Sequence, residues 1–274
     1  MAETRMTAGA ERLGAAFAAA HGEGRAALMP YLMGGFPDAE TSAAVLAAYV
    51  DGGADVIELG VPFSDPLADG PVIHSAATAA LRAGANLDSV LELASTCAGR
   101  VPIVVMVYAN MVLARGAEEF AAELEARGIA GAIVPDLPPE EADAVRAALD
   151  ARDLAFVPLV APTTPPERRR EICAAARGFV YLVSDTRTTG ERDAMPEHLA
   201  DLVAAAKAEA GAPVAVGFGI GTPEQAAEVG QTADGVIIGS RLVRAVAEAP
   251  DGSAAAGAVR EFVQATRQAL AAGR

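Results

Sequence analysis

The sequence predicts an α/β chain of the (β/α)8 TIM barrel type, with an extra N-terminal helix and a single domain over residues 1–274. Two observations carry this. Eight short, largely apolar runs rich in β-branched residues recur along the chain, and longer Ala-rich amphipathic stretches alternate with them. A third observation weighs against an open doubly wound sheet. Such a sheet would carry a G-x-G-x-x-G turn after its first strand if it bound a dinucleotide, and Met33-Gly34-Gly35-Phe36-Pro37 lacks that spacing.

Ala10–Ala20 reads as the leading helix. Strands are expected at Ala27–Met33, Asp55–Leu59, Ile103–Tyr108, Gly131–Val134, Ala155–Val160, Phe179–Val183, Val214–Gly217 and Gly235–Ile238. Most are apolar along their length, as parallel strands covered by helices are. Helices are expected at Ala39–Asp51, Leu87–Ala98, Ala117–Ala126, Glu140–Ala151, Pro166–Ala176, Pro196–Ala210 and Pro223–Val229, with a short one at Ser240–Val246 and a closing one at Glu261–Ala271. Asp38 precedes the first of these as an N-cap, and Thr222-Pro223-Glu224 supplies an N-cap, an N1 proline and a first-turn acid. No Pro/Ser linker, low-complexity tract or charge run divides the chain.

Hydrophobic residues make up 52% of the chain and aromatics only 4%, with no Trp, so Ala, Val, Leu and Ile must fill the core. The net charge is -15, which repels nucleic acid and anionic membranes and argues against both as partners. A phosphate would have to bind backbone N–H groups at a helix N-terminus rather than a general positive field. Cys97 and Cys173 lack metal-ligand spacing and read as reduced packing residues. The first residues lack a signal-peptide pattern, and no apolar run approaches the ~18 residues of a membrane span, so a cytoplasmic protein is expected.

In barrels the chemistry sits at the C-terminal ends of the strands. The run Ile57-Glu58-Leu59-Gly60-Val61-Pro62-Phe63-Ser64-Asp65-Pro66-Leu67-Ala68-Asp69-Gly70-Pro71 places Glu58 at one such end, followed by a loop with three prolines and two more carboxylates. A carboxylate there must be paired or protonated. It is either a structural cap or, as its position favours, a catalytic acid/base. Asp69 before Gly70 reads equally as a turn residue or a functional one, and Asp65 mainly as a loop organiser. Tyr108 and Tyr181 are either core aromatics or hydroxyls that orient a carboxylate. Gly217-Phe218-Gly219-Ile220-Gly221 after the seventh strand and Gly239-Ser240 after the eighth together suggest a phosphate cup, although each alone is an ordinary tight turn. His21, His74 and His198 do not cluster at strand ends, so none is assigned to chemistry or metal.

The opening run, Tyr108-Ala109-Asn110, Pro135-Asp136-Leu137-Pro138 and Gly217-Phe218-Gly219-Ile220 occur in an order that resembles the tryptophan synthase α subunit family over nearly the whole chain. That resemblance implies retro-aldol cleavage of indole-3-glycerol phosphate to indole and glyceraldehyde 3-phosphate in tryptophan biosynthesis. It implies no cofactor on this chain, and a β subunit partner carrying pyridoxal phosphate in an α2β2 complex. By the same resemblance Glu58 is the general acid/base, Asp69 the anion facing the indole nitrogen, and Tyr181 a neighbour of the acid/base. Tyr31, Met106, Thr189 and Phe218 would line the indole pocket, and Gly190, Gly219, Gly239 and Ser240 would hold the phosphate. Asp65, Tyr108, Asn110 and Asp136 would belong to the loops and the subunit interface. The family's Ser-x-x-Gly-Val-Thr-Gly loop here reads Ser184-Asp185-Thr186-Arg187-Thr188-Thr189-Gly190, so Arg187 in place of glycine is expected to alter loop closure. The competing readings are a free-standing lyase, an inactive allosteric or scaffolding barrel, and another phosphate-binding barrel. The last is disfavoured because no lysine lies at a strand end and Lys207 falls in a helix.

Overall fold

The computed structural model describes residues 9–67, 69–183, 199–217 and 219–273. Among these residues nine parallel strands form one sheet: β1 Ala27–Met33, β2 Ile57–Gly60, β3 Ile103–Met106, β4 Gly131–Ile133, β5 Ala155–Phe156, β6 Leu159–Val160, β7 Val180–Val183, β8 Val214–Gly217 and β9 Gly235–Ile238. Their order is β5-β4-β3-β2-β1-β9-β8-β7-β6. The expected fifth strand is therefore two pieces. Pro158 lacks an N–H, so the run cannot sustain one ladder through it. The run changes neighbours instead: Val157 N donates to Ala132 O of β4 at 2.9 Å, and Pro158 O accepts from Tyr181 N of β7 at 2.9 Å. Because β5 and β6 belong to one extended run, the two ends of the sheet meet there and the barrel closes. The expected (β/α)8 architecture is the one observed.

The helices are α1 Gly9–Gly22, α2 Ala39–Gly52, α3 Pro71–Arg82, α4 Leu87–Ala98, α5 Ala109–Arg115, α6 Ala117–Ala126, α7 Asp143–Asp150, α8 Pro166–Ala174, α9 Leu199–Glu209, α10 Pro223–Gly230, α11 Ser240–Glu248 and α12 Gly252–Ala272. The expected caps are present: Asp38 accepts from Thr41 N at 2.8 Å, and Thr222 accepts from Gln225 N at 3.3 Å. Two helices, α3 and α5, are additional to the expected ones. The first carries a readable stripe, since Ile73, Ala76, Ala77 and Ala80 are buried at helical spacing behind an N1 proline. The last helix starts earlier than its expected bound. Asp251 caps it by accepting from Ala254 N at 2.9 Å, and Ala255 and Val259 anchor its small-residue first half.

The core has two parts. The larger lies between the outer faces of the strands and the helices. The smaller fills the barrel: Ala27 and Met29 of β1, Val104 of β3, Val157, Phe179, Ala215 of β8 and Ile237 of β9 pack with Leu13, Phe17 and Ala20 of α1. The N-terminal helix thus plugs the lower end of the barrel, with the Phe17 and Phe179 ring centroids 5.6 Å apart. Cys97 and Cys173 are buried and free. Among the described residues no helix is long and apolar enough to cross a membrane.

Candidate active site

Register decides what shares the upper end of the barrel. Tyr31 of β1 pairs with Glu58 of β2, which pairs with Val104 of β3. Side chains at one level of neighbouring parallel strands point the same way, so Tyr31 and Glu58 both face inward. Glu58 is 1% exposed, and its Oε2 has no hydrogen-bond partner among the described residues. Burial, and then the nearby charge of Asp69, push its carboxyl up to about 8. At neutral pH it is therefore held largely protonated, ready to give a proton.

Asp69 comes from the loop after β2 and is partly buried. Burial raises its carboxyl, while a hydrogen bond from the Tyr108 hydroxyl and the charge of His74 work in the opposite direction. The Tyr108 ring stacks on Phe63 of the same loop at 4.9 Å. Burial raises both carboxyls. Among the described residues nothing opposes the rise at Glu58, whereas Tyr108 and His74 hold Asp69 back toward its ionised form, a difference that can set an acid beside an anion. Tyr108 orients a carboxylate rather than filling the core alone. His74, which the sequence leaves unassigned, lies within electrostatic reach because α3 carries it back beside Asp69.

Two further tyrosines complete the cluster. The Tyr31 ring lies across Gly60, where an added Cβ would stand 2.7 Å from Tyr31 Cζ. The Tyr181 ring lies across Gly217, with an added Cβ 2.7 Å from Tyr181 Cζ. In each case the glycine is two residues beyond the tyrosine's register partner, Glu58 for Tyr31 and Ala215 for Tyr181. Burial raises both phenols well above their ordinary value. Asp69 and Glu58 add to this for Tyr31, and Glu58 and Asp69 for Tyr181. Gly60→Ala should therefore displace the Tyr31 ring and lower kcat/KM at this site by at least about tenfold, within the cost of a misplaced pocket group. Steady-state kinetics at unchanged fold would check this.

Gly239 and Ser240 open α11, whose first N–H groups belong to the unpaired set at any helix start and can meet an anion. Ser240 is buried, and Gly219 is half-buried. Gly221 N is taken by Gln225 Oε1 at 2.8 Å. Arg241 stacks over the Phe262 ring at 5.1 Å. Met106 is half-buried and packs against the barrel interior. Asp136 accepts from Ala109 N at 2.8 Å and so fixes the start of α5. Asp65 is exposed and accepts from the hydroxyl of Ser64 at 2.7 Å, and Asn110 is exposed on α5. These last three sit on the rim rather than in the buried cluster. Thr189, Gly190 and Phe218, with Arg187 and His198, lie outside the described residues.

The chain has clear counterparts among known proteins. A family model described as the tryptophan synthase alpha chain matches residues 17–271. An alpha chain from Prochlorococcus marinus (strain MIT 9313) is 49% identical over 233 residues, covering 84% of this chain and 85% of the relative. One from Phenylobacterium zucineum (strain HLK1) is 46% identical over 243 residues, covering 88% of each. Among solved structures, a Mycobacterium tuberculosis tryptophan synthase chain superposes with a TM-score of 0.88 at 40% identity, covering 94% of this chain and 98% of that one. Tryptophan synthase subunit alpha from Legionella pneumophila str. Paris gives 0.84 at 35% identity, covering 94% and 98%. The likeness in sequence and in fold runs over nearly the whole length, and the chain belongs to the tryptophan synthase alpha chain family.

Proposed function

We propose that this enzyme subunit acts as a lyase that cleaves indole-3-glycerol phosphate to indole and glyceraldehyde 3-phosphate. The observation that carries the reading is Glu58, buried at a strand end with an unpartnered oxygen and a carboxyl raised to about 8, beside the carboxylate Asp69. Glu58 gives its proton to indole C3, and the ring nitrogen takes up positive charge. Asp69 stabilises that charge. The ionised Glu58 then removes the proton of the side-chain hydroxyl next to C3. The bond between C3 and that carbon breaks, its electrons neutralise the ring, and the oxygen becomes the aldehyde carbonyl. Protons and charge balance, and Glu58 ends as it began. Tyr181 steadies the acid/base, Tyr31 and Met106 flank the indole, and Gly219, Gly239 and Ser240 receive the phosphate. Thr189, Gly190 and Phe218 keep the binding roles the family suggests.

The partner we propose is the β subunit of tryptophan synthase in an α2β2 complex, with pyridoxal phosphate on that partner and no cofactor on this chain. Two large exposed hydrophobics, Leu67 at 85% and Leu113 at 63%, lie on the loop after β2 and on α5, the elements that carry Asp65 and Asn110. That is a surface a partner would cover. Buried free cysteines support a reducing, cytoplasmic setting. The test is indole release from indole-3-glycerol phosphate by the purified chain, alone and with a tryptophan synthase β subunit. Slow release that rises strongly with the β subunit is expected. Fast release indifferent to it would mean a free-standing lyase, and no release in either condition would overturn the reaction.

A further inference from the structure

We infer that the Tyr31 hydroxyl donates a hydrogen bond to the substrate's reacting hydroxyl oxygen, so that Tyr31 and Glu58 form a two-sided subsite for that one oxygen. This rests on the cleavage reading above and adds a catalytic residue to it.

Two unmet groups point to it. Buried polar atoms are nearly always hydrogen-bonded, and each exception needs a reason. Tyr31 is buried, and the acceptor the structure gives its hydroxyl is Met33 Sδ at 4.0 Å, a weak thioether acceptor. Glu58 Oε2 has no partner among the described residues. The first is a donor and the second, once ionised, an acceptor. They stand on adjacent strands as register partners, both facing inward. The missing Cβ of Gly60, two residues beyond Glu58 on the same face, is what lets the Tyr31 ring reach across β2. A ligand hydroxyl satisfies both groups at once, since it accepts from the phenol and donates to the carboxylate.

The phenol is also held from outside the barrel. The β1–β9 register ends at Pro30 opposite Ile238, one residue short of Tyr31. There the Tyr31 carbonyl accepts from the hydroxyl of buried Tyr49 on α2, at 2.9 Å. Backbone fixed by a buried bond keeps a hydrogen-bond donor where it is needed without reorganisation.

In the reaction the oxygen passes its proton to Glu58 and gains negative charge before the carbon–carbon bond breaks. Tyr31 keeps its own proton throughout and stabilises that charge by donation. The experiment uses Tyr31→Phe, which keeps the ring, assayed with the β subunit present and with a melting curve as fold control. Its readouts are kcat/KM for indole-3-glycerol phosphate and the Kd of 3-(indol-3-yl)propyl phosphate, which lacks both side-chain hydroxyls. A fall in kcat/KM of about 10–100-fold, near the usual scale for one lost donor to a developing oxyanion, is expected with the Kd within about twofold of wild type. Unchanged kcat/KM overturns the inference, and so does a parallel loss in Kd, which would reduce Tyr31 to a packing role. A wild type that leaves indole-3-glycerol phosphate intact overturns the cleavage reading itself, whereas an active wild type with an unaffected Tyr31→Phe overturns this inference alone.

Discussion

Glu58→Gln is expected to lower indole release by at least about a thousandfold while leaving the barrel folded, because in the proposed reaction one group supplies both proton transfers and the amide can supply neither. The raised carboxyl adds a pH signature. In the proposed reaction Glu58 enters as an acid, and its value of about 8 means that the ionised form takes over above that pH. In the wild type kcat/KM should therefore fall with rising pH above about 8, and the residual rate of Glu58→Gln should show no such limb. A flat wild-type profile from about pH 7 to about pH 9.5 would assign the proton to another group.

The same variant should be more stable than the wild type, and the sign follows from linkage. Below the ordinary glutamate value of 4.5, Glu58 is protonated in both folded and unfolded chains and contributes nothing. Between 4.5 and about 8 the unfolded chain ionises and the folded one does not, so folding weakens by about 1.4 kcal/mol per pH unit, levelling off above 8. Glutamine does not titrate. Glu58→Gln should melt close to the wild type at pH 4.5 and several degrees above it at pH 8. Equal melting temperatures at the higher pH would mean that Glu58 is not held protonated.

The second large effect lies at the opposite end of the strands. Arg25 is 2% exposed, and Asp55 grips it through Nη1–Oδ2 at 2.5 Å and Nη2–Oδ1 at 2.8 Å. Asp55 Oδ2 also accepts from Leu28 N at 2.8 Å, and Arg25 Nε donates to Glu23 at 2.8 Å. Arg267 of α12 reaches Asp55 at 3.3 Å and Glu23 at 2.7 Å, so the network ties the last helix and the entry to β1 to the start of β2. Asp55→Ala would leave a buried guanidinium half-paired, at a cost of about 3–5 kcal/mol. The melting temperature should fall by roughly 10 °C, with activity preserved below the transition. Asp51→Ala, which breaks only the exposed pair with Arg100, should leave the melting temperature close to that of the wild type. If the two variants melt alike, the buried network is not what holds this end.

Much of the fold can be read from residues alone. The bounds of β1, β8 and β9 match their expected runs because each is a short apolar block between polar or glycine turns. The split at Pro158 is visible as a proline, but its effect depends on which strands flank the run, and pairing is not written locally. The helix α3 is readable from its alanine spacing, yet it follows a loop whose chemistry draws attention away from it. Asp55 reads as the start of a strand, whereas its side chain serves Arg25, 30 positions earlier and brought close only by the closed sheet. Within the site, Glu58 and Asp69 stand out as carboxylates at and after a strand end. Neither the level shared by Tyr31 and Glu58 nor the hold of Tyr108 on Asp69 is legible in this way, since the first depends on register and the second on the path of a loop.

The helix that fills the lower end of the barrel makes the chamber a vessel with a sealed base. Among the described residues Leu13, Phe17, Met29 and Phe179 close the floor as one buried apolar cluster. A molecule cut in two inside such a vessel must send both halves out on the side by which the whole came in. Whatever sits over that doorway therefore meets every fragment as it departs, and a neighbour placed there can keep one half and let the other escape to the surroundings.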